Sequence, residues 1–238
     1  MSVWGPGGEE SWVAMDDGCE LLVRKWSPAG PPCAALHICH GMGDHSARYG
    51  RFATFLCEHG LVVYAADHRS HGQTALKAKA KNPKAHYLGH VDTAEMGGKD
   101  LLQRVVEDNV FLCNRENHGL PLVLLGHSMG SVLARLVAAR QPKGLAGLII
   151  SGAPAVPIPP VNAAFGPLLQ GLGQIYGDSG VAPIINKLTF EKFNAAFAPN
   201  KTEFDWLNRD SAEVLKYVGD SPLGCTDLQE GPRVFLWF

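Results

Sequence analysis

The sequence predicts an α/β domain built around a doubly wound, mostly parallel β-sheet, and three observations predict it. Residues 33–39 and Leu61–Ala66 are near-continuous apolar runs of strand length, as in strands buried on both faces of a parallel sheet. Segments with helical spacing of apolar residues alternate with such runs along residues 1–152, and this alternation is typical of parallel sheets with right-handed crossovers. The composition is that of a globular protein, with 46% hydrophobic and 18% charged residues in a chain of 238.

The first elements are predicted from apolar spacing and one glycine. Residues 19–26 (CELLVRKW) alternate apolar and polar side chains, which predicts a half-buried strand. Between the two apolar runs, Tyr49, Phe52 and Phe55 recur at helical spacing, which predicts a helix. Gly60 stands where a helix commonly ends on a left-handed residue.

The remaining elements of this region follow the same alternation. They are a helix over residues 94–117, a strand over 122–125, a helix over 129–140 and a strand over Leu145–Ser151. Gly119 and Pro142 follow the two helices, and both residue types end helices. The sequence therefore predicts an α/β core of about six strands in residues 1–152.

After Ser151 the pattern changes from alternation to helical fragments. Residues 153–160 (APAVPIPP) contain four prolines and cannot continue a regular helix. Helical patterns then cover residues 161–176, 188–197 and 212–218, and the next strand-like run is 233–238. We expect a helical cap over residues 153–227, followed by an atypical tail of residues 228–238.

Charge and cysteine usage exclude several classes of protein. The formal net charge is −2, so no global field attracts nucleic acid, and no run of eighteen apolar residues predicts a membrane span. The amino terminus lacks the basic region of a signal peptide, and the six cysteines have the irregular spacing of reduced, buried thiols. These features predict a cytoplasmic protein. The lysines at 77, 79, 81 and 84 are expected in a solvated loop after Leu61–Ala66.

The segment Gly126-His127-Ser128-Met129-Gly130 is a G-x-S-x-G sequence. It follows a predicted buried strand and opens a predicted helix, which is the context of a nucleophile elbow. The two glycines permit a sharp strand-to-helix turn, which leaves Ser128 exposed at the carboxyl edge of the sheet. The sequence thus predicts Ser128 as a nucleophile, with a plain glycine turn as the alternative.

A serine nucleophile also needs backbone N–H donors for the negative charge that develops on the substrate oxygen. The first expected donor is the N–H of Met129, directly after the nucleophile. The second is the N–H of Met42, in the glycine-containing loop that begins with His40 and Gly41 after a predicted strand. A plain turn after that strand is the alternative.

Three segments carry a family resemblance: residues 40–49 (HGMGDHSARY), 67–72 (DHRSHG) and 126–130 (GHSMG). In this order and spacing the chain resembles the monoacylglycerol lipase and lysophospholipase branch of the α/β-hydrolases, which is catalogued with serine aminopeptidase S33-like hydrolases. Residues 206–218 and 220–223 resemble the cap of that branch. The resemblance implies hydrolysis of a carboxylic ester, of a monoacyl lipid or small substrate, through an acyl-Ser128 intermediate. Ser70 replaces a glycine of the family pattern, which affects the local turn, since a serine can occupy that turn if its φ stays negative.

The triad acid and base are not identifiable in this sequence. In this fold they follow the nucleophile in the order acid, then histidine. All ten histidines precede Ser128, and the later aspartates (178, 205, 210, 220 and 227) lie in or just past the cap-like segment. The family brings both groups on strands after the cap, so the sequence predicts a C-terminally truncated α/β-hydrolase fold with impaired turnover. A substitute base at His40 or His45 is the remaining option; His127 is expected at the surface, and His71 is expected to hold its own loop.

Three functional hypotheses stay open at this stage. The first is an impaired serine ester hydrolase, and the second is an inactive truncated form or pseudoenzyme that binds lipid or a protein partner. The third is a related peptidase, thioesterase or acyltransferase. No metal cluster, phosphate loop or dinucleotide motif is present, so we expect no cofactor.

The predicted partners depend on two apolar surfaces. The stripes Leu168, Leu169, Leu172, Ile175 and Phe190, Phe193, Phe197 predict either packing of the cap on the sheet or an acyl tunnel and membrane-facing lid. The second surface is the strand Leu145–Ser151, which becomes a sheet edge if no strand follows it. Such an edge predicts marginal stability or self-association.

Overall fold

The computed structural model describes residues 3–83, 86–87, 90–91, 101–153 and 192–220. The strands are β1 (Glu9–Ala14), β2 (Glu20–Trp26), β3 (Ala34–Cys39), β4 (Leu61–Ala66), β5 (His86–Tyr87), β6 (His90–Val91), β7 (Leu122–His127) and β8 (Leu145–Ser151). The helices are α1 (Gly50–Glu58), α2 (Gly72–Lys81), α3 (Leu101–Glu116), α4 (Met129–Ala139), α5 (Lys192–Ala195) and α6 (Ser211–Gly219), with 3-10 turns at Ser46–Tyr49 and Asp205–Leu207.

Six strands form one sheet in the order β1-β2-β4-β3-β7-β8, while β5 and β6 form a separate two-stranded sheet. β1 and β2 pair antiparallel to their neighbours, whereas β4, β3, β7 and β8 run parallel. The predicted mostly parallel sheet is therefore confirmed. The parallel register places Cys39 of β3 beside Gly126 of β7, so the loops after these two strands leave the sheet side by side.

Helices cover both faces of the sheet, which makes the fold doubly wound. Ala53 of α1 packs in a cluster with Ile38 and Ala65 on one face, while Leu112 of α3 packs with Ala66 and Leu21 on the other. Adjacent residues of a strand point to opposite faces, so Ala65 and Ala66 belong to different clusters. The alternation predicted from the sequence accounts for this arrangement.

The strands predicted at Leu61–Ala66 and Leu145–Ser151 have the predicted bounds, and Gly60 ends α1 with φ of +83°. The loop expected after β4 is wrong, because Lys77, Lys79 and Lys81 lie on α2. One side of that helix is held by charge: the ammonium of Lys77 lies 3.9 Å from the Trp12 ring centroid, and both Lys77 and Lys81 pair with Glu20. Lysines anchored in this way favour a helix over a solvated loop.

Several predicted segments lie outside the described residues. They are residues 94–100 of the long helix, residues 154–160 of the proline-rich stretch, the fragment 161–176, residues 188–191, the tail 228–238, Lys84, Phe190 and the apolar stripe at 168–175. The strand β1 was not predicted. Cys33 is exposed rather than buried, and its thiol donates to the carbonyl of Gly60.

The chain divides into two compact units, Met1–Tyr87 with Val91–Pro154 and Leu88–His90 with Ala155–Phe238. In the second unit, Asp210 caps α6 by accepting from the N–H of Ala212, as residues that begin helices commonly do. The rings of Phe193 and Trp206 lie 5.4 Å apart, although half of Phe193 is exposed. None of the helices in the described ranges has the length and apolar character that crossing a membrane requires.

The described sheet ends at β8, whose apolar side chains remain exposed. Leu148, Ile149 and Ile150 are 41%, 47% and 39% exposed, although they lie in the middle of a strand. Gly152 directly follows the strand, with φ of +57°. In the described part of the chain no strand pairs with the outer side of β8.

Candidate active site

Ser128 lies at the junction between β7 and α4 in a strained backbone conformation. Its φ is +53° and its ψ is −119°, a region that side-chain-bearing residues rarely adopt. Strain of this kind costs about 1–3 kcal/mol and persists only where the surrounding structure enforces it. The sharp strand-to-helix turn that the G-x-S-x-G spacing predicts is therefore present around Ser128.

Two glycines allow this turn because other backbone atoms occupy the space of a side chain. A Cβ on Gly126 would lie 2.1 Å from the carbonyl oxygen of Gly130. A Cβ on Gly130 would lie 1.9 Å from the carbonyl oxygen of Cys39 and 2.6 Å from that of His40. Close approach, rather than positive φ, requires glycine at both positions. As a result α4 begins in direct contact with the end of β3.

Hydrogen bonds hold the elbow on both sides of the serine. The N–H of Ser128 donates to the carbonyl of Ser151 at 2.9 Å, which ties the elbow to the end of β8. The N–H and the hydroxyl of Ser131 both donate to the carbonyl of Ser128, at 2.9 and 2.6 Å. Met129 is the first residue of α4, where N–H groups have no partner within the helix and the helix dipole favours negative charge.

The loop after β3 approaches the serine from the neighbouring strand. A Cβ on Gly41 would lie 3.4 Å from the Cβ of Ser128, so one added methyl group would bring the two residues into van der Waals contact. Gly43 turns the loop with φ of +64°, and Met42 between them is 38% exposed. The structure thus brings Ser128, Gly41 and Met42 to one edge of the sheet, beside the start of α4.

Asp44 organises this loop from within. Its carboxylate accepts from the N–H of His45 at 2.8 Å and the hydroxyl of Tyr49 at 3.0 Å, with a longer contact of 3.4 Å from the N–H of Gly41. Burial raises the pKa of Asp44, but the charges of His40, Arg48 and His45 outweigh it and lower the pKa overall. Asp44 is therefore an ionised acceptor at neutral pH, which stabilises the turn.

His40 is excluded as a base by its two hydrogen bonds. Its Nε2 accepts from the backbone N–H of His68 at 3.0 Å, so Nδ1 carries the proton and donates to the carbonyl of Gly41 at 2.8 Å. The ring is fully buried, and burial lowers the pKa of His40 despite the nearby carboxylates of Asp44 and Asp67. Both ring nitrogens of this neutral histidine are thus committed to the backbone.

The other histidines near the elbow have different surroundings. The ring of His127 is exposed as predicted, and its Nδ1 lies 3.2 Å from the hydroxyl of Ser151 at the end of β8. His45 is buried, and His71 contacts its own loop through Nδ1 and the carbonyl of Arg69 at 3.1 Å, as predicted. Within the described residues, none of these ring nitrogens hydrogen-bonds to the hydroxyl of Ser128.

Ser70 occupies its turn with a positive φ, so the condition of a negative φ is not met. The structure gives φ of +65°, the left-handed conformation that a glycine adopts without strain. The hydroxyl of Ser70 donates to the carbonyl of Arg69, which partly offsets the cost by a local hydrogen bond. The turn is therefore kept at this position despite the side chain.

Two buried clusters of ion pairs were not predicted from the sequence. Asp67 pairs with Arg24 of β2 at 3.2 Å, and Arg69 makes a two-point contact with Asp108 of α3 at 2.6 and 2.8 Å and also binds Asp17. The motif residues 67–72 thus carry two charge clusters between elements distant in sequence. The sequence held one hint of these ion pairs: two charged residues, Asp67 and Arg69, stand directly after a buried strand.

Two of the aspartates that follow Ser128 in the sequence have structural roles in the described residues. Asp205 accepts from the hydroxyl of Thr202, which lowers the pKa of this exposed carboxyl, and Asp210 caps α6. Asp178 and Asp227 lie outside the described residues. In the described ranges no group of three or more His, Cys, Asp or Glu side chains is arranged to hold a metal ion.

Comparisons with known proteins agree with this geometry. A family model described as serine aminopeptidase, S33 matches residues 30–228. The chain is 33% identical to the monoglyceride lipase of Homo sapiens over 196 residues, covering 82% of this chain and 57% of that protein. It is 29% identical to the monoacylglycerol lipase of Mycolicibacterium smegmatis over 212 residues, covering 85% and 61%.

A solved structure extends the similarity to three dimensions. The carboxyl esterase from Bacillus coagulans superimposes with a TM-score of 0.71 at 26% identity, covering 91% of this chain and 66% of that one. The chain therefore spans less than two thirds of the length of each of these proteins.

Proposed function

The chain belongs to the serine aminopeptidase S33 family, in the monoacylglycerol lipase branch of the α/β-hydrolases, and from this premise we propose that it is a serine ester hydrolase. The proposed substrate is the carboxylic ester of a monoacyl lipid, as the names of its human and mycobacterial relatives suggest. The observation that carries the proposal is the strained φ of +53° at Ser128, enforced by the glycine contacts of the elbow.

In the proposed reaction Ser128 is the nucleophile. Its Oγ attacks the ester carbonyl carbon, the ester C–O bond breaks, and the alcohol leaves with the hydroxyl proton, after which water releases the fatty acid. The N–H groups of Met42 and Met129 would receive the oxyanion. Support for this assignment comes from the approach of Gly41 to Ser128, where an added Cβ would lie 3.4 Å from the serine Cβ, and from the position of Met129 at the start of α4.

We further propose that these 238 residues acylate slowly. Serine is a weak nucleophile without an adjacent base, and loss of a triad member leaves about 10³–10⁴-fold acceleration over water. The two backbone hydrogen bonds of His40 and the contact of His127 with Ser151 support this proposal. The same observations favour a second candidate, a binding form in which Ser128 is not activated.

Intact mass after incubation with a fluorophosphonate tests the proposal. We expect one adduct per chain on the wild type and on Ser151→Ala, which removes a serine at the same sheet edge, and none on Ser128→Ala. A folded wild type that gains no adduct would contradict the hydrolase and favour the binding form. An adduct that persists on Ser128→Ala would overturn the assignment of the nucleophile.

Substrate class is tested separately with unlabelled protein, because a fluorophosphonate adduct would block Ser128. We expect release of fatty acid from a monoacylglycerol and hydrolysis of a short-chain aryl ester, both abolished in Ser128→Ala. Hydrolysis of the aryl ester alone would retain the esterase and reject the lipid substrate. Cleavage of an aminopeptidase substrate instead would favour a related peptidase.

A further inference from the structure

We propose that Asp67 is the positioning residue that fixes the loop of residues 40–46, here called the oxyanion loop, against the nucleophile. This inference rests on the proposed function, because it assigns a role in that same site. Asp67 follows β4 directly, is fully buried, and belongs to none of the segments that contact Ser128.

The carboxylate of Asp67 is saturated with hydrogen bonds from three elements. Oδ1 accepts from the N–H of Ser46 at 2.9 Å, from the Ser46 hydroxyl, and from Arg24 of β2 at 3.2 Å. Oδ2 accepts from the N–H of Gln73 at 2.8 Å, at the start of α2. All of these partners donate hydrogen bonds to the carboxylate, and Ser46 and Arg24 are themselves buried.

The oxyanion loop is therefore held at both ends and in the middle. At its first end, the carbonyls of Cys39 and His40 contact Gly130 of the elbow. In its interior Asp44 accepts from loop N–H groups, and at its last end Ser46 is bound by Asp67. The residues after β4 therefore hold the loop at two points: the N–H of His68 donates to His40 near its first end, and Asp67 secures its last end through Ser46.

The space around Asp67 leaves no room for an alternative arrangement. A Cβ on Gly72 would lie 2.3 Å from Oδ2 of Asp67 and 3.0 Å from the Cβ of His45, so the turn before α2 closes directly over the carboxylate. Thr74 completes the frame, since its hydroxyl donates to the carbonyl of Asp67 and accepts from the N–H of Leu22. A rigid anchor of this kind matters because misplacement by about 1 Å can cost about 100-fold in rate.

The test compares Asp67→Asn with Asp108→Asn. Both changes neutralise a buried carboxylate paired with a buried arginine, Arg24 in one case and Arg69 in the other, but Asp108 accepts no hydrogen bond from residues 40–46 among the described residues. An asparagine at 67 directs an NH₂ group at one of the donors that a carboxylate accepts from. Both variants are expected to lose stability, so this loss does not distinguish them.

Activity per folded molecule distinguishes a positioning role from a structural one. With a short-chain aryl ester, Asp67→Asn is expected to lower kcat about tenfold or more with KM nearly unchanged, because donors aligned to the oxyanion act in the transition state. Asp108→Asn is expected to keep kcat. Ser46→Ala, which removes only one hydroxyl, is a milder variant that should lower kcat about threefold. Equal loss of kcat in Asp67→Asn and Asp108→Asn, or none in either, overturns the inference.

Amide hydrogen exchange over residues 40–48 gives a readout that does not need activity. Exchange is expected to accelerate in Asp67→Asn and to stay at the wild-type rate in Asp108→Asn, and equal exchange in the two variants overturns the inference. If the wild type has no turnover that depends on Ser128, the proposed function fails. The exchange comparison then decides alone whether Asp67 positions the loop.

Discussion

The two flanks of the nucleophile elbow are built very differently. On one side, here called the oxyanion flank, His40, Ser46 and Asp67 are fully buried and every one of them is held by hydrogen bonds. On the other side, the β8 flank, Leu148 and Ile149 are exposed by 41% and 47%. Ser128 lies between them, and only its own N–H joins it to the end of β8.

This difference indicates which contacts keep Ser128 in its strained conformation. The contacts that exclude a side chain at Gly130 are made by Cys39 and His40, on the oxyanion flank. Within β8 the contacts are looser, since a Cβ on Gly147 would meet Val123 at 3.6 Å, although a Cβ on Gly152, directly after the strand, would lie 3.1 Å from the ring of His127. The oxyanion flank therefore enforces the elbow, and the β8 flank tolerates change.

The largest expected effect comes from adding one methyl group on each flank. Gly130→Ala places a Cβ 1.9 Å from a backbone oxygen, so we expect a loss of more than about 4 kcal/mol in the free energy of unfolding. Gly147→Ala meets only normal contacts, and we expect a change below about 1 kcal/mol. Urea unfolding measures the free energy of unfolding of both variants. A Gly130→Ala variant as stable as the wild type would contradict the proposed role of the oxyanion flank.

The next largest expected effect is a loss of stability at low pH, which comes from buried histidines on the oxyanion flank. Burial lowers the pKa of His40 and His68 and lowers that of His71 to about 3. The unfolded chain therefore binds protons first as pH falls below about 6.5. The contribution of these histidines to the free energy of unfolding is fully present above that pH. It is lost as the pH falls towards their pKa values in the folded state.

His71, whose pKa burial lowers to about 3, is expected to cost about 1.4 kcal/mol between pH 7.5 and 5.5, and the lowered pKa values of His40 and His68 add to this loss. Urea unfolding across this range measures the loss, and His71→Gln should reduce its slope. The carboxylate of Asp44, whose pKa is lowered, adds to the loss only below about pH 4. Stability that stays constant from pH 7.5 to 5.5 would contradict the assignment of neutral buried histidines.

A pair of leucines facing each other across two strands sharpens the comparison. Leu124 of β7 is fully buried, and its partner Leu148 of β8 is 41% exposed. We expect Leu124→Ala to cost about 2–5 kcal/mol and Leu148→Ala less than about 1 kcal/mol. Thermal unfolding of both variants is the measurement, and similar losses would show that the β8 flank is covered in solution. Size-exclusion chromatography of the same samples tests the predicted self-association.

The smallest expected effect is at the turn of Ser70. Ser70→Gly relieves a left-handed φ of +65° and is expected to raise the free energy of unfolding by up to about 1 kcal/mol. Ser70→Ala keeps the strain and loses the hydroxyl contact with the carbonyl of Arg69, so it is expected to lower stability by a similar amount. Chemical unfolding of both variants measures the difference. A Ser70→Ala variant as stable as Ser70→Gly would contradict this account.

Much of the fold could be predicted because the signals were local. Leu61–Ala66 and Leu145–Ser151 are apolar runs whose burial pattern depends on their own residues. β1 was missed because five of the six residues of this edge strand are not buried. α2 was missed because its lysines look solvated, whereas their anchors, Trp12 and Glu20, come from other strands.

The candidate site divides in the same way. The strand, turn and helix around Ser128 follow from glycine spacing, and so does the loop that carries Met42. Asp67 could not be predicted as an anchor, because its partners Arg24 and Ser46 come from distant parts of the chain. The positive φ at Ser70 could not be predicted, since the turn is set by the surrounding structure and not by the residue in it.

The contact of Gly130 with the end of β3 also orders events during folding. β3 and α4 are far apart in sequence, and such non-local contacts form late because the loop-closure entropy must be overcome first. Before β3 has docked beside β7, nothing opposes relaxation of Ser128 into an unstrained conformation. A nascent or partly folded chain therefore carries an unstrained serine, and the strained conformation of Ser128 is acquired only when β3 and β7 are assembled. Labelling of Ser128 during refolding would consequently report the assembly of β3 and β7, later than the formation of any single helix.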